Sequence, residues 1–282
     1  MKLTLCNEVL GDMPFREQFK FAHALGYEGL EIAPYTLNSN PLAITPREIS
    51  EVSKFSDAAG VPVSGLHWLL VRPENLSITS SDADVRQRTV GFMKQLIGLC
   101  ADLGGTYLVH GSPQQRRLPE NGNDQEIGEA RKRGIESWAS IAEAAENSGV
   151  TYCIEALAPP MANFVNTVAE AVEILERINS KAILTMIDCS AARQHERQCV
   201  AELFAEWHPR GVLGHIHVND KNRRGPGQGD DEFDSVVKAL KEHNYGSWIG
   251  VEPFDYVPDG PAAAAYCAGF MRCLLDDKIL ST

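Results

Sequence analysis

The sequence predicts an α/β fold, a single-domain (β/α)8 TIM barrel over residues 1–282. Three observations carry that prediction. The length of 282 residues suits one such barrel, which typically takes about 250. A helix-like segment that ends in a small residue and glycine, followed by a short apolar run, recurs along the chain. The apolar runs are continuous and β-rich, as strands of a parallel sheet buried on both faces require.

The recurrence lies between Ala24 and Ile32, Asp57 and His67, Ala101 and His110, Asn147 and Glu155, and Asn244 and Glu252. Glycine just past a helix takes the left-handed conformation that ends it. Helix, glycine and strand in alternation make βα units with right-handed crossovers. Eight strands are expected, at 2–7, 29–33, 63–68, 106–111, 151–156, 183–188, 212–218 and 248–253. Helices are expected near 14–25, 46–59, 82–103, 124–147, 167–179, 192–207, 232–243 and 261–276. In the third helix Val85, Phe92, Leu96 and Leu99 share one face. Thr45-Pro46 and Ser81-Asp82 read as helix starts. A doubly wound open sheet competes, but no G-x-G-x-x-G follows the first strand.

Composition narrows the function classes. The net charge of −12 counts against a nucleic-acid partner, because a duplex binder presents a basic face. The seven cysteines are odd in number, contain no CxxC and mostly sit in apolar runs. They read as core residues rather than a disulfide framework or thiolate zinc site. The N-terminus enters a strand at once, with no signal-like segment, and no apolar run of about 18 residues suggests a membrane span. A soluble, cytoplasmic chain without a membrane partner is expected.

The polar residues at the strand ends are Glu8, Glu31, His67, His110, Glu155, Asp188, His217 and Glu252. The last four end strands five to eight in succession, and barrel closure brings such ends to one mouth. Three carboxylates and an imidazole suit one divalent ion: Mn2+ first, with Mg2+, Co2+ or Zn2+ as alternatives. Without an ion the carboxylates would repel one another in a partly dry pocket.

The segments around Glu155, Asp188, His215-Ile-His217-Val-Asn-Asp-Lys-Asn-Arg223 and Gly-Val-Glu252-Pro-Phe resemble the xylose-isomerase-like TIM barrels. Within these, they are most similar to the ketose 3-epimerases, the D-tagatose and D-psicose 3-epimerase group. The Gly225-Pro-Gly-Gln-Gly-Asp and Gly65-Leu-His-Trp-Leu-Leu segments fit too, so the resemblance covers essentially the whole chain. It implies that Glu155, Asp188, His217 and Glu252 ligate the metal, and that Glu155 and Glu252 are the acid/base pair. It also implies that Arg223 contacts substrate. Two positions depart from the family pattern: a histidine three residues after the aspartate is here Ala191, and a carboxylate six residues after the first glutamate is here Met161.

His67, Trp68, His110 and Glu31 complete the expected substrate-binding set; a second ion near His67 and His110 is left open. His215 lies one pleat deeper than His217 and reads as packed behind it. The loop 111–117 and the residues Lys221, Arg223 and Arg224 are expected to add positive charge at the mouth. A sugar substrate, free, phosphorylated or acidic, is expected. The expected enzyme is an isomerase that epimerises or isomerises by proton transfer next to a metal-bound carbonyl. The alternatives are a dehydratase using the same site, an endonuclease IV-like nuclease and a non-catalytic sugar-binding barrel. A homo-oligomer, dimer or tetramer, is left open.

Overall fold

A computed structural model describes residues 1–276. Residues 277–282 of the expected domain lie outside it. Eight parallel strands close into a barrel in sequence order: β1 Lys2–Cys6, β2 Gly29–Ile32, β3 Val63–Leu66, β4 Tyr107–His110, β5 Thr151–Glu155, β6 Ile183–Asp188, β7 Leu213–Val218 and β8 Trp248–Val251. The expected fold class is thus observed. Helices α1 Phe15–Leu25, α2 Pro34–Leu37, α3 Pro46–Ala59, α4 Ala83–Asp102, α5 Asp124–Ala139 and α6 Ala142–Ser148 follow the first four strands. Helices α7 Val168–Ile178, α8 Cys189–His195, α9 Val200–Trp207, α10 Asp234–Glu242 and α11 Gly260–Leu275 follow the rest.

Local chemistry explains the boundaries. Thr45 caps α3 in a capping box with Glu48, and Pro46 opens the helix. Asp82 caps α4 through the amides of Asp84 and Val85. Gly26, Gly60 and Gly149 end α1, α3 and α6 at φ of 78°, 67° and 66°.

Three expectations need correction. The helix expected over 124–147 is two, because Ser140 and Ile141 interrupt it between α5 and α6. The helix expected over 192–207 is also two, and the first begins at once after β6. Asp188 caps it by accepting from the Ala191 amide, so no loop separates strand from helix. After α10 it is Asn244, at φ 53°, that takes the left-handed turn rather than Gly246.

The main core lies between strands and helices and includes Phe92, Leu96, Leu99, Trp138 and Phe204. A smaller cluster of Tyr107, Val109, Cys153, Met186 and Trp248 fills the barrel interior. Strand alternation sets the direction of each side chain. In β4, Tyr107 and Val109 belong to that interior cluster, so Leu108 and His110 face the helices. Register aligns the carboxyl ends of the last strands, with Asp188 opposite His217 and His217 opposite Gly250.

Candidate active site

Glu155, Asp188, His217 and Glu252 meet at the mouth of the barrel. One ligand atom of each lies within 4.8 Å of the other three. All are at most 5% exposed. Glycines make the space: a Cβ on Gly111 would sit 2.1 Å from Glu155 Oε2, and one on Gly250 would sit 2.6 Å from the His217 ring. Gly111, not His110, is therefore the mouth-facing position of the fourth strand.

Each carboxylate has its own support. Asp188 Oδ1 accepts from the Ala191 amide at 2.7 Å and Oδ2 from Asn219 Nδ2 at 2.6 Å. Glu252 Oε1 accepts from Trp68 Nε1 at 3.1 Å. Trp68 reaches it from a left-handed backbone, φ 51°, a conformation rare for so bulky a residue. Among the described residues none donates to the Glu155 carboxylate; Arg116 Nη1 instead donates to the Glu155 main-chain oxygen at 2.6 Å.

Burial pushes the Glu155 carboxyl well above the usual range, and the neighbouring Glu252 and Asp188 charges push the same way. Burial also raises Asp188 and Glu252, against the opposing pull of His217. For His217, burial disfavours the charge, but Glu252 and Glu31 outweigh it and raise the pKa. Three buried carboxylates on one small volume call for a cation.

The donor set fits a divalent ion. His217 Nδ1 lies 2.8 Å from Glu252 Oε2, yet makes no hydrogen bond of acceptable geometry. That nitrogen is a buried, orphaned donor atom facing the three carboxylates, as a ligand atom is. The other nitrogen, Nε2, lies 3.0 Å from Glu31 Oε1. A carboxylate behind a ligating imidazole fixes its orientation and raises its basicity.

The remaining expected residues divide. Glu31 is fully buried beneath the site, not on the pocket wall. His215 Nε2 lies 3.2 Å from its Oε2, and the Tyr107 hydroxyl donates to the same oxygen at 2.5 Å. Burial works against its charge, but His217 and His215 outweigh that and hold Glu31 well below the usual carboxylate range. His67 is fully buried, with Nε2 2.5 Å from Glu8 Oε2. His110 does not reach the site. Its Nδ1 accepts from Trp138 Nε1 at 3.0 Å and lies 2.8 Å from Tyr152 Oη, in the layer outside the barrel. The ring of His110 faces the helices, so among the described residues it joins no group of metal-ligating atoms with His67.

Arg223 does reach the mouth. Its carbonyl oxygen accepts from the Phe254 and Asp255 amides, both at 2.8 Å, and its guanidinium stands 5.3 Å from the Phe254 ring centre. It lines a cavity of about 430 Å³ with Trp68, Glu155, Leu157, Met161 and Glu252. The expected positive charge of loop 111–117 is only half present. Arg116 is fully buried behind Glu155, whereas Arg117 is partly exposed and pairs with Glu120 at 2.7 Å. Leu157, Ala158, Ala162 and Ala191 pack together. Sequence reasoning missed Cys6, Asn219 and Gly111. Asn219 was legible as the residue directly after the strand of His217; Gly111 needed the inside-outside parity of β4.

The xylose isomerase-like TIM barrel family model matches residues 19–272. The chain belongs to that family. D-psicose 3-epimerase of Ruminiclostridium cellulolyticum is 26% identical, over 82% of this chain and 75% of its own length. 3-Dehydro-D-guloside 4-epimerase of Escherichia coli K12 is 22% identical, over 89% of this chain and 92% of its own. A crystal structure of D-psicose 3-epimerase in the presence of D-fructose superposes with a TM-score of 0.81 at 20% identity, covering 98% and 99% of the two chains. These relatives are epimerases, hence isomerases. Among the described residues no helix is long and apolar enough to cross a membrane.

Proposed function

We propose that this protein is a metal-dependent epimerase of a ketose or keto-sugar derivative. The observation that carries the proposal is the convergence of Glu155, Asp188, His217 and Glu252, with ligand atoms within 4.8 Å, on a cavity that could seat a sugar. Asp188, His217 and the two glutamates would hold one divalent ion, Mn2+ by preference for its oxygen-rich donor set. When bound, such an ion supplies Lewis acidity to a carbonyl oxygen.

The chain's own groups do the rest. Glu155 ends β5, Glu252 directly follows β8, and both line the cavity. One takes a proton from the carbon next to the carbonyl, and the other returns a proton to the opposite face, which inverts that centre. Burial raises both carboxyls above their ordinary values, the direction that suits a pair exchanging protons. Trp68 fixes the Glu252 carboxylate through its indole N–H. Met161 and Ala191 stand where the ketose epimerases carry polar groups, so the far end of the substrate meets an apolar wall, with Arg223 at the rim for a hydroxyl or an acidic group.

The test is proton exchange. Protein loaded with Mn2+ is incubated in D2O with a panel of free ketoses, keto-glycosides and sugar phosphates. Deuterium at one inverted carbon is expected with one class. Turnover without solvent exchange would point to a hydride shift, and loss of water would reassign the site as a dehydratase.

A further inference from the structure

A second group of donor atoms lies beside the first. Cys6 ends β1, and Glu8 follows in the short 3-10 turn Asn7–Leu10. His67 comes directly after β3, and Glu252 is shared with the first cluster. One ligand atom from each of Cys6, Glu8, His67 and Glu252 lies within 4.8 Å of the other three. None of Cys6, Glu8 and His67 serves the proton transfer proposed above.

The group carries atoms that protein contacts leave unused. The Glu8 side chain is 10% exposed and its Oε1 is buried without a hydrogen-bond partner among the described residues. An unpaired buried carboxylate oxygen is costly unless something compensates it. The Cys6 thiol is fully buried and lies 4.0 Å from His217 Nε2, the outer limit of a sulfur hydrogen bond. Among the described residues His67 Nδ1 has no hydrogen-bond partner, and it lies 3.6 Å from Glu31 Oε1. Nε2, 2.5 Å from Glu8 Oε2, is the nitrogen that faces the group, with the Glu31 carboxylate behind the ring. A crevice of about 500 Å³, lined by Glu8, Met13, Phe15, Gln18 and Tyr35, opens onto Glu8. It shares no lining residue with the cavity at Glu155.

We propose that Cys6, Glu8, His67 and Glu252 form a second metal site, with Glu252 bridging it to the ion of the first. One thiolate, one imidazole and two carboxylates make a borderline-soft, four-donor set. That set suits Zn2+ or Co2+, not Mg2+, which takes hard oxygen ligands. Binding releases the Cys6 thiol proton, and the His67 proton when that ring is charged, to solvent. The site stands whether or not the substrate is a sugar.

Cobalt(II) is the probe. Chelator-stripped full-length protein is titrated with it and followed by bound metal and by near-ultraviolet absorption. Two equivalents per chain are expected, one of them with a thiolate-to-cobalt charge-transfer band that Zn2+ abolishes. Glu8→Gln should keep the thiol but weaken that equivalent by more than about tenfold. Cys6→Ser should remove the band, and Asp188→Ala should retain it while losing the other equivalent. A single equivalent without a thiolate band in the wild type overturns the proposal, without any variant having to fold. So does a band that survives Cys6→Ser, which would assign it to another cysteine.

Discussion

The two halves of the barrel mouth start from the same sequence signal and end differently. Strands β5 to β8 deliver Glu155, Asp188, His217 and Glu252 to one point. Strands β1 to β4 end in equally polar residues that go to three different places. Glu8 and His67 pair with each other, Glu31 sinks beneath the imidazoles, and His110 turns outward to Trp138 and Tyr152. A polar residue at a strand end is therefore not yet a residue at the mouth. Pleat parity decides which way it faces, and depth along the barrel decides what it touches.

The largest expected effect lies in the convergent half. Glu155→Gln and Glu252→Gln each keep an oxygen donor but lose the base. Turnover should fall by at least about 100-fold, with metal still bound, as measured by rate and metal content on one sample. Near-normal turnover in either variant would remove that glutamate from the proton transfer.

Next comes the link between the halves. Glu31→Gln leaves the cavity wall untouched but takes the charge from behind His217. Affinity for Mn2+ at the first site should drop about 10–100-fold, the usual effect of losing a carboxylate behind a metal-bound histidine. Isothermal titration reads it. Unchanged affinity would make Glu31 a packing residue of the first half and sharpen the contrast between the halves.

Trp68→Phe keeps the ring and removes the N–H that holds Glu252. Roughly a tenfold loss in kcat is expected, with metal content unchanged, since a hydrogen bond to a charged group contributes about 1.5 kcal/mol. A change in KM alone would instead place Trp68 against the substrate.

The smallest effect belongs to His110, and it concerns stability alone. Burial, and then the Arg116 charge, hold its pKa well below the ordinary histidine value. Below about pH 6.5 the unfolded chain gains a proton there that the folded chain does not. Its contribution to stability is thus lost as pH falls, by up to about 1.4 kcal/mol per pH unit. His110→Gln should lose stability less steeply than wild type between about pH 6.5 and 5 in denaturant unfolding, with metal affinity unaltered. Parallel slopes would show that another group carries the acid sensitivity.

The eight-fold alternation was legible along the chain. So was the placement of Glu155, Asp188, His217 and Glu252 at the carboxyl ends of four consecutive strands. Both come from local rules: glycine after a helix, continuous apolar runs for strands buried on two faces, and one strand per unit. Closure then made neighbours in sequence order neighbours in space, which is why these four residues were legible without coordinates.

The rest was set by packing in three dimensions. It placed His110 outside, because β4 presents Tyr107 and Val109 to the interior and leaves Gly111 to face Glu155. It turned Arg116 inward behind Glu155, and it set Glu31 under His217 instead of on the wall. It brought Cys6 and Glu8, on the first strand and its turn, against His67 and Glu252 from the third and eighth. These outcomes depend on register, on side-chain direction and on space that absent Cβ atoms leave open. Such quantities are set between strands and cannot be read along any one of them.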